Sequence, residues 1–197
     1  MTQTIAYTEQ QFIEDVRKAF ASTDDARTQA QTIADHMREM FKTGWPANSE
    51  KFGAETGTYL VHSDTEVGHP HGGFQILTYR RAPQRGAAPA QPHDHGPCFV
   101  VYGVASGSNI QTRYAWKYSE DTTVSPTLEP TQTVVQAPGD AAYFLPGEIH
   151  STDGSQDEET VFVRITSQDL DQVLRHRYNL SASTGKAFIT GTTPATT

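Results

Sequence analysis

Cysteine is nearly absent from this 197-residue sequence, which contains Cys98 and no second thiol. A single cysteine excludes a disulfide within the chain and also a zinc site built from cysteines alone. Such low cysteine usage fits a reducing compartment. We therefore expect a cytoplasmic protein.

Dense runs of basic residues and long apolar runs are also missing. The 15 Lys and Arg residues are outnumbered by 23 Asp and Glu residues, which gives a formal net charge of −8. A surface that follows a phosphate backbone needs clustered positive charge, so nucleic acid is not an expected partner. No stretch approaches the roughly 18 apolar residues of a membrane span, and the first residues lack a signal-peptide pattern. We expect no association with a membrane.

Two stretches near the start have the apolar spacing of helices. Thr8 and Gln11 form a capping-box pattern, and apolar residues then recur every three or four positions. A second series runs through Ile33 and Met37 until Pro46 ends it. These patterns predict two short amphipathic helices whose apolar residues contribute to a core.

After residue 53 the sequence pattern changes to short runs rich in β-branched and aromatic residues, separated by Gly, Pro, Asn and Asp. We predict a mainly β protein of one domain, in which a helical segment, 1–52, packs on an antiparallel barrel, 53–180. The barrel segment ends in a predicted short helix, 169–178, and a tail, 181–197, is expected to be loosely ordered. The predicted strands are GTYLVHS, FQILTYRRA, CFVVYGVA, SNIQTRYAWKYS, TQTVVQA, DAAYFLP and TVFVRIT.

Metal-binding chemistry is concentrated in two segments. The first is Gln-Pro-His93-Asp-His95, just before an apolar run. Residues i and i+2 of an extended segment point to the same face, so His93 and His95 can direct two imidazoles at one point. The second is a strand followed by Pro-Gly-Glu-Ile-His150, which would place His150 at a barrel mouth. Three imidazoles leave coordination positions open on a first-row divalent metal, as a catalytic site requires.

Other polar residues could compete with these ligands or support them. His69 and His71 form a second HxH pair in a Pro-Gly-rich setting, which is more typical of an exposed loop. His62 lies on a predicted strand and is expected to be a hydrogen-bonded barrel residue. Ligand imidazoles usually donate their second ring N–H to a neighbour. Three nearby acids are candidate acceptors: Asp94, Glu148 and Asp153.

The two segments together resemble the two motifs of the cupin superfamily, whose members are small double-stranded β-helix barrels. The HxH of His93 and His95 matches the first motif, and Gly139–His150, which ends in PGEIH, resembles the second. The resemblance covers roughly the barrel, Gly53–Thr166. It implies a jelly-roll barrel with a metal ion held by the three histidines.

One departure from the common cupin pattern narrows the resemblance. Most metal-binding cupins carry a Glu four or five residues after the second His, where this sequence has Phe99 and Val100. A three-histidine set without that Glu is similar to cysteine dioxygenase, related thiol dioxygenases and β-diketone-cleaving cupins, which use Fe(II). The resemblance implies an Fe(II) dioxygenase that uses O2 and a small substrate, with a thiol acid as the first choice.

Two other classes remain open at this point. One is a non-redox lyase, isomerase or hydrolase that uses Zn, Mn or Ni, since three imidazoles suit those ions too. The other is a non-catalytic cupin that binds a small molecule. Cupins commonly dimerise through barrel edges, so the resemblance also favours a homodimer.

Several strand residues are candidates for contact with the substrate. An arginine inside an apolar barrel needs an acid or an anionic substrate as a partner, although each arginine could equally lie on the solvated face. Cys98 stands three residues after the HxH, but the strand after His150 holds no tyrosine for the cross-link of cysteine dioxygenase, so a buried structural role is the simpler alternative. The candidates for substrate binding are Arg80 or its neighbour Arg81, Arg113, Arg164 and Cys98, and the candidate catalytic acids or bases are Tyr102 and Tyr143.

Overall fold

The computed structural model describes residues 7–67, 73–120, 126–180 and 187–193, with only the backbone described for 179–180 and 187–193. Two α-helices, Glu9–Ser22 (α1) and Ala26–Phe41 (α2), come first. The strands that follow are Gly57–Ser63 (β1), Gln75–Arg81 (β2), Val100–Ser106 (β3), Asn109–Lys117 (β4), Thr127–Gln136 (β5), Ala141–Phe144 (β6), Ile149–Gly154 (β7), Thr160–Thr166 (β8), Arg175–Leu180 (β9) and Ala187–Thr193 (β10).

The capping box predicted at the start of α1 is confirmed. The Thr8 hydroxyl accepts a hydrogen bond from the Gln11 backbone N–H at 3.2 Å, and the Gln11 side-chain oxygen accepts one from the Thr8 N–H at 2.9 Å. Two of the N–H groups that a helix leaves unpaired at its start are thereby satisfied. The apolar residues of α1 and α2 face a common core, as their spacing predicts.

The strands form two sheets whose order is that of a jelly roll. The larger sheet has the order β1-β2-β8-β3-β6, and the smaller has the order β5-β4-β7. An isolated bridge between His93 and His150 extends the smaller sheet on the β7 side. The chain crosses between the two sheets after β3 and again at each step from β5 to β8, as in a double-stranded β-helix. The predicted mainly β fold with two helices on a jelly-roll barrel is confirmed.

The larger sheet separates two apolar layers. Residues such as Val101 and Val163 point outward and pack with the buried faces of both helices. Their neighbours Val100, Tyr102 and Phe162 point to the other side, into the barrel. Strand alternation thus decides which side chains can reach the barrel interior, where the histidines lie.

The C-terminal part differs from the prediction. Within the predicted helix only Leu170–Gln172 is helical, as one 3-10 turn, and its last four residues belong to strand β9. β9 pairs with β10, which lies in the segment expected to be a loosely ordered tail. The backbone of β9 also bonds to the histidine segment, because Asp94 N donates to His176 O at 3.0 Å and Tyr178 N donates to Pro92 O at 2.8 Å. These tertiary contacts override the helix-like spacing of the local sequence.

Among the described residues, no helix has both the length and the apolar character that crossing a membrane would require.

Candidate metal centre

Backbone hydrogen bonds hold the two histidine segments side by side. His93 N donates to His150 O, and His150 N donates to His93 O, both at 2.9 Å. The following turns are joined as well, because Gly147 N donates to Gly96 O at 3.1 Å. Residues more than fifty positions apart in the sequence are thereby fixed as neighbours, independently of their side chains.

Gly96, directly after the second histidine, is required by its surroundings. Its φ is +59°, in the left-handed region that favours glycine. A Cβ added at this position would lie 2.1 Å from the Leu174 carbonyl oxygen, far inside van der Waals contact. The glycine thus permits the turn after His95 to pack directly against the segment that leads into β9.

The three predicted ligands lie together at this junction. One potential ligand atom from each of His93, His95 and His150 falls within 4.8 Å of the others. The Nε2 atoms of His95 and His150 are 3.0 Å apart. Both of these side chains are almost fully buried, while His93 is partly exposed and lines the adjoining cavities. The strand alternation that predicts a chelating pair at His93 and His95 agrees with this geometry.

Two of the three rings have acceptors that fix their tautomer. His93 Nδ1 donates to the Gln91 carbonyl oxygen at 3.1 Å, and His150 Nδ1 donates to Gln111 Oε1 at 3.3 Å. Since a carbonyl oxygen can only accept, each Nδ1 carries the proton and each Nε2 keeps its lone pair. His95 differs, because its Nδ1 is buried and has no hydrogen-bond partner within the described ranges.

The surroundings keep these imidazoles neutral. Burial lowers the pKa of His95 and His150 well below the usual value, and the neighbouring His93 and Arg164 lower both pKa values further. Burial also lowers the pKa of His93. Neutral imidazole is the form that binds a metal. Converging lone pairs in a buried, uncharged cluster fit a first-row divalent ion. The positive charge of such an ion would offset the repulsion between the lone pairs of the two Nε2 atoms.

The acids expected to accept from the ligand rings have other partners. Asp94 Oδ2 accepts from the Tyr178 hydroxyl at 2.7 Å and from His176 Nδ1 at 3.0 Å, and Asp94 Oδ1 accepts from Gly96 N at 2.8 Å. Asp153 accepts from the Ala90 backbone N–H at 2.6 Å. The expectation is corrected: Asp94 fastens β9 to the histidine segment, and the ring acceptors are a backbone carbonyl and a glutamine amide.

Glu148 likewise accepts hydrogen bonds within the turn before His150 and not from a histidine ring of the cluster. Its Oε2 accepts from Leu145 N at 2.8 Å and from Arg113 at 2.7 Å. The same Arg113 donates to the Tyr143 carbonyl at 2.6 Å and lies over the Phe144 ring, 4.3 Å from its centroid. The other neighbour of Phe144 is His150, with the ring centroids 3.8 Å apart. Arg113 is therefore separated from the histidines by an aromatic ring and is already paired, which corrects its predicted contact with substrate.

Two arginines do face the histidine cluster. Arg164 on β8 and Arg175 on β9 line a cavity of about 150 Å³ together with His93 and His95. The Nε atoms of both arginines are buried without a hydrogen-bond partner, and neither arginine forms a salt bridge among the described side chains. Burial lowers the pKa of Arg175, and the charge of Arg164 lowers it further. Arg164 was a predicted candidate, whereas sequence reasoning missed Arg175 because its segment was predicted to be helical.

A second cavity, of about 220 Å³, adjoins the same cluster. It shares His93 and Arg164 with the first cavity and is also lined by Tyr102, Arg81 and Phe162, among others. The Tyr102 hydroxyl lies 3.5 Å from His95 Nε2. Tyr102 therefore stands beside a ligand ring and at the cavity wall.

The remaining candidates lie elsewhere. Arg80 pairs with Glu159 at 2.5 Å near the surface. Tyr143 packs against the core that the helices share with the outer face of the larger sheet, which corrects its expected place in the cavity. Cys98 is buried with Leu170 and Val173, and burial raises its thiol pKa to about 12, so its expected contact with substrate is corrected too.

The other histidines that the structure describes do not add to the cluster. His62 Nε2 lies 3.2 Å from Asp64 Oδ2, as expected for a hydrogen-bonded barrel residue. That same Asp64 carboxylate, fully buried, also accepts from Arg17 of α1. His69 and His71 fall outside the described residues.

Comparison with known proteins gives matches at the level of structure alone. No protein-family model and no curated protein matches the sequence. Among solved structures, an uncharacterised conserved protein with a double-stranded β-helix domain from Klebsiella pneumoniae is 16% identical, with a TM-score of 0.36 over 59% of this chain and 80% of that chain. Oxalate oxidase in complex with the substrate analogue glycolate is 17% identical, with a TM-score of 0.36 over 49% of this chain and 42% of the other.

A mutant of Bacillus subtilis oxalate decarboxylase is 20% identical, with a TM-score of 0.40 over 62% of this chain and 29% of the other. The chain thus spans less than half of the length of either oxalate enzyme. At these identities and TM-scores the likenesses carry no conclusion about activity. The fold assignment rests on the strand order, and the candidate metal centre rests on the clustering of the three histidines.

Proposed function

We propose that this protein is a mononuclear Fe(II) dioxygenase that acts on a small substrate bearing a carboxylate, with small thiol acids as the first candidates. One observation supports the proposal most strongly. A buried cluster of three neutral imidazoles stands beside Arg164 and Arg175, two cations without an acidic partner among the described residues. A metal cluster and unneutralised cations in one cavity are complementary to an anionic ligand.

The charge of the donor set supports an anionic substrate independently. Three neutral ligands leave the full double positive charge on a divalent ion, whereas a carboxylate ligand would cancel part of it. The two arginines add to this positive field in a chain whose net charge is −8. An Fe(II) ion bound by the three histidines would offer coordination positions for both reactants and would pass electrons from the substrate, which is oxidised, to O2.

The chain's own residues would do the rest. Arg164 and Arg175 would bind the carboxylate and set the orientation of the substrate. The Tyr102 hydroxyl, 3.5 Å from His95 Nε2, would hold or donate a proton during the reaction. Phe144, stacked on His150, would keep water from that face of the imidazole ring.

Anaerobic reconstitution tests this proposal. Metal-free protein would be loaded with Fe(II), and O2 uptake would be followed with a series of small thiol carboxylates and diketones. We expect uptake that depends on a thiol carboxylate, is lost in His150→Ala and is retained in His62→Ala, whose imidazole lies outside the cluster. Uptake no faster than that of free Fe(II) would contradict the proposal. Full zinc occupancy in protein purified without added metal, together with no uptake, would instead favour the non-redox class.

A further inference from the structure

The two cavities beside the histidines adjoin each other. The cavity that contains Arg175 and the cavity that contains Arg81 share His93 and Arg164 as wall residues. Arg164 therefore stands between them, with a second arginine on either side. A ligand held beside the metal centre could extend from one cavity into the other.

Arg81 is held by aromatic rings and not by an acid. Its guanidinium carbon lies 4.8 Å from the Phe162 ring centroid and 5.7 Å from the Tyr79 ring centroid. These two rings are parallel, with centroids 4.4 Å apart, and Arg164 lies 5.3 Å from the Tyr79 centroid on the cavity side. An aromatic stack thus supports two arginines through cation–π contacts, which leave the N–H donors of the guanidinium groups directed elsewhere.

Among the described residues no acid pairs with Arg81, although the chain has more acidic than basic residues. Within the described parts of the chain, Arg81 forms no salt bridge, whereas the adjacent Arg80 on the opposite face pairs with Glu159 at 2.5 Å. The sequence has 23 acidic residues for 15 basic ones. Among the described residues Arg81, Arg164 and Arg175 form no salt bridge, and the Asp94 carboxylate that also lines the Arg175 cavity is bound to Tyr178 and His176. The three positive charges therefore repel one another unless an anion is bound.

We propose that the substrate carries two anionic groups, one bound by Arg164 and Arg175 beside the metal centre and the second bound by Arg81 in the adjoining cavity. This inference rests on the proposed function and specifies its substrate class as a small dicarboxylic acid, or an equivalent dianion. Arg81 is then a specificity-determining residue, because it selects dianions over monoanions of the same length without contacting the metal.

Matched pairs of acids test the inference on Fe(II)-loaded protein kept anaerobic at pH 7.5. Succinate and butyrate share a four-carbon chain and differ by one carboxylate, and glutarate and valerate form a second pair. Titration calorimetry should give about ten-fold tighter binding of at least one dicarboxylate than of its partner, the usual order for one added charge-assisted contact. Arg81→Gln should remove that preference and leave binding of the monocarboxylate unchanged.

Arg85→Gln is the matched control, since Arg85 is highly exposed and its ion pair with Asp157 is exposed and long, at 3.6 Å. The control should behave as the wild type, and circular dichroism should show that both variants are folded. Equal binding of the two acids in each pair, or an equal loss for both in Arg81→Gln, would overturn the dianion inference and leave the proposed carboxylate site standing. Failure of all four acids to bind would contradict the carboxylate site itself.

Discussion

Replacing Tyr178 by phenylalanine should weaken the attachment of β9, the strand that brings Arg175 to the histidine cluster. The Tyr178 hydroxyl donates to Asp94 Oδ2 at 2.7 Å, and both side chains are buried. Burial and the Asp94 hydrogen bond raise the pKa of Tyr178, so the phenol remains a donor at neutral pH. The substitution removes this hydroxyl but keeps the ring that packs edge-on against Trp116.

The magnitude follows from the partners that Asp94 keeps. A hydrogen bond to a charged group contributes about 1.5–3 kcal/mol. Because Asp94 retains donors from Gly96 N and from His176, we expect the lower end, about 1.5 kcal/mol. For a domain of this size, about 2–4 °C of melting temperature is lost per kcal/mol, which corresponds to about 3–6 °C here.

Urea denaturation of metal-free protein, followed by circular dichroism, measures the change directly. Tyr118→Phe is the matched control, since Tyr118 is 74% exposed. We expect a lower unfolding free energy for Tyr178→Phe than for wild type, and no change for the control. Equal stability of the two variants would refute the view that Asp94 fastens β9 through Tyr178.

Three further predictions concern other parts of the molecule. Gly96→Ala should lower the unfolding free energy by more than about 2 kcal/mol, because the new methyl group would overlap a carbonyl oxygen, whereas Gly86→Ala, which also has positive φ but meets open space, should cost only about 1 kcal/mol in the same urea assay. For Asp64, burial raises the pKa, but hydrogen bonds from an arginine and two backbone N–H groups outweigh it and hold the pKa below the usual range. The stabilisation is therefore present above pH about 4 and is lost as pH falls through the folded-state pKa. Asp64→Asn should cost about 1–3 kcal/mol at pH 7 and progressively less below pH 4, while Asp24→Asn, on the surface, should have little effect at either pH. Cys98 should react with a thiol reagent at pH 8 only after unfolding in urea, and fast reaction of the folded protein would contradict its burial.

Local patterns predicted the two N-terminal helices and the convergence of His93 with His95. The capping box of α1 depends on residues three positions apart, and the pairing of His93 with His95 depends on alternation within one extended segment. The seven predicted strands also correspond to strands of the structure. These features depend on residues that are close in the sequence, so sequence patterns alone predict them.

Features that depend on distant contacts could not be found in this way. Strand β7 carries polar residues and was not among the predicted runs, because its pairing with β4 and the His93 segment stabilises it. Tyr143 lies on a strand of only four residues, where an error of one position moves a side chain to the other face. Arg175 reaches the cluster only because β9 bonds to the segment around Asp94, which nothing in the local sequence of β9 indicates.

The reciprocal backbone pair between His93 and His150 makes the site open to redesign. Since the two hydrogen bonds of this pair join main-chain atoms and not the imidazoles, exchanging either imidazole for a carboxylate or a thiol would leave these bonds in place. The same scaffold can therefore present different ligand chemistries at one fixed point, and the choice of metal becomes a matter of side chains that can be varied one at a time.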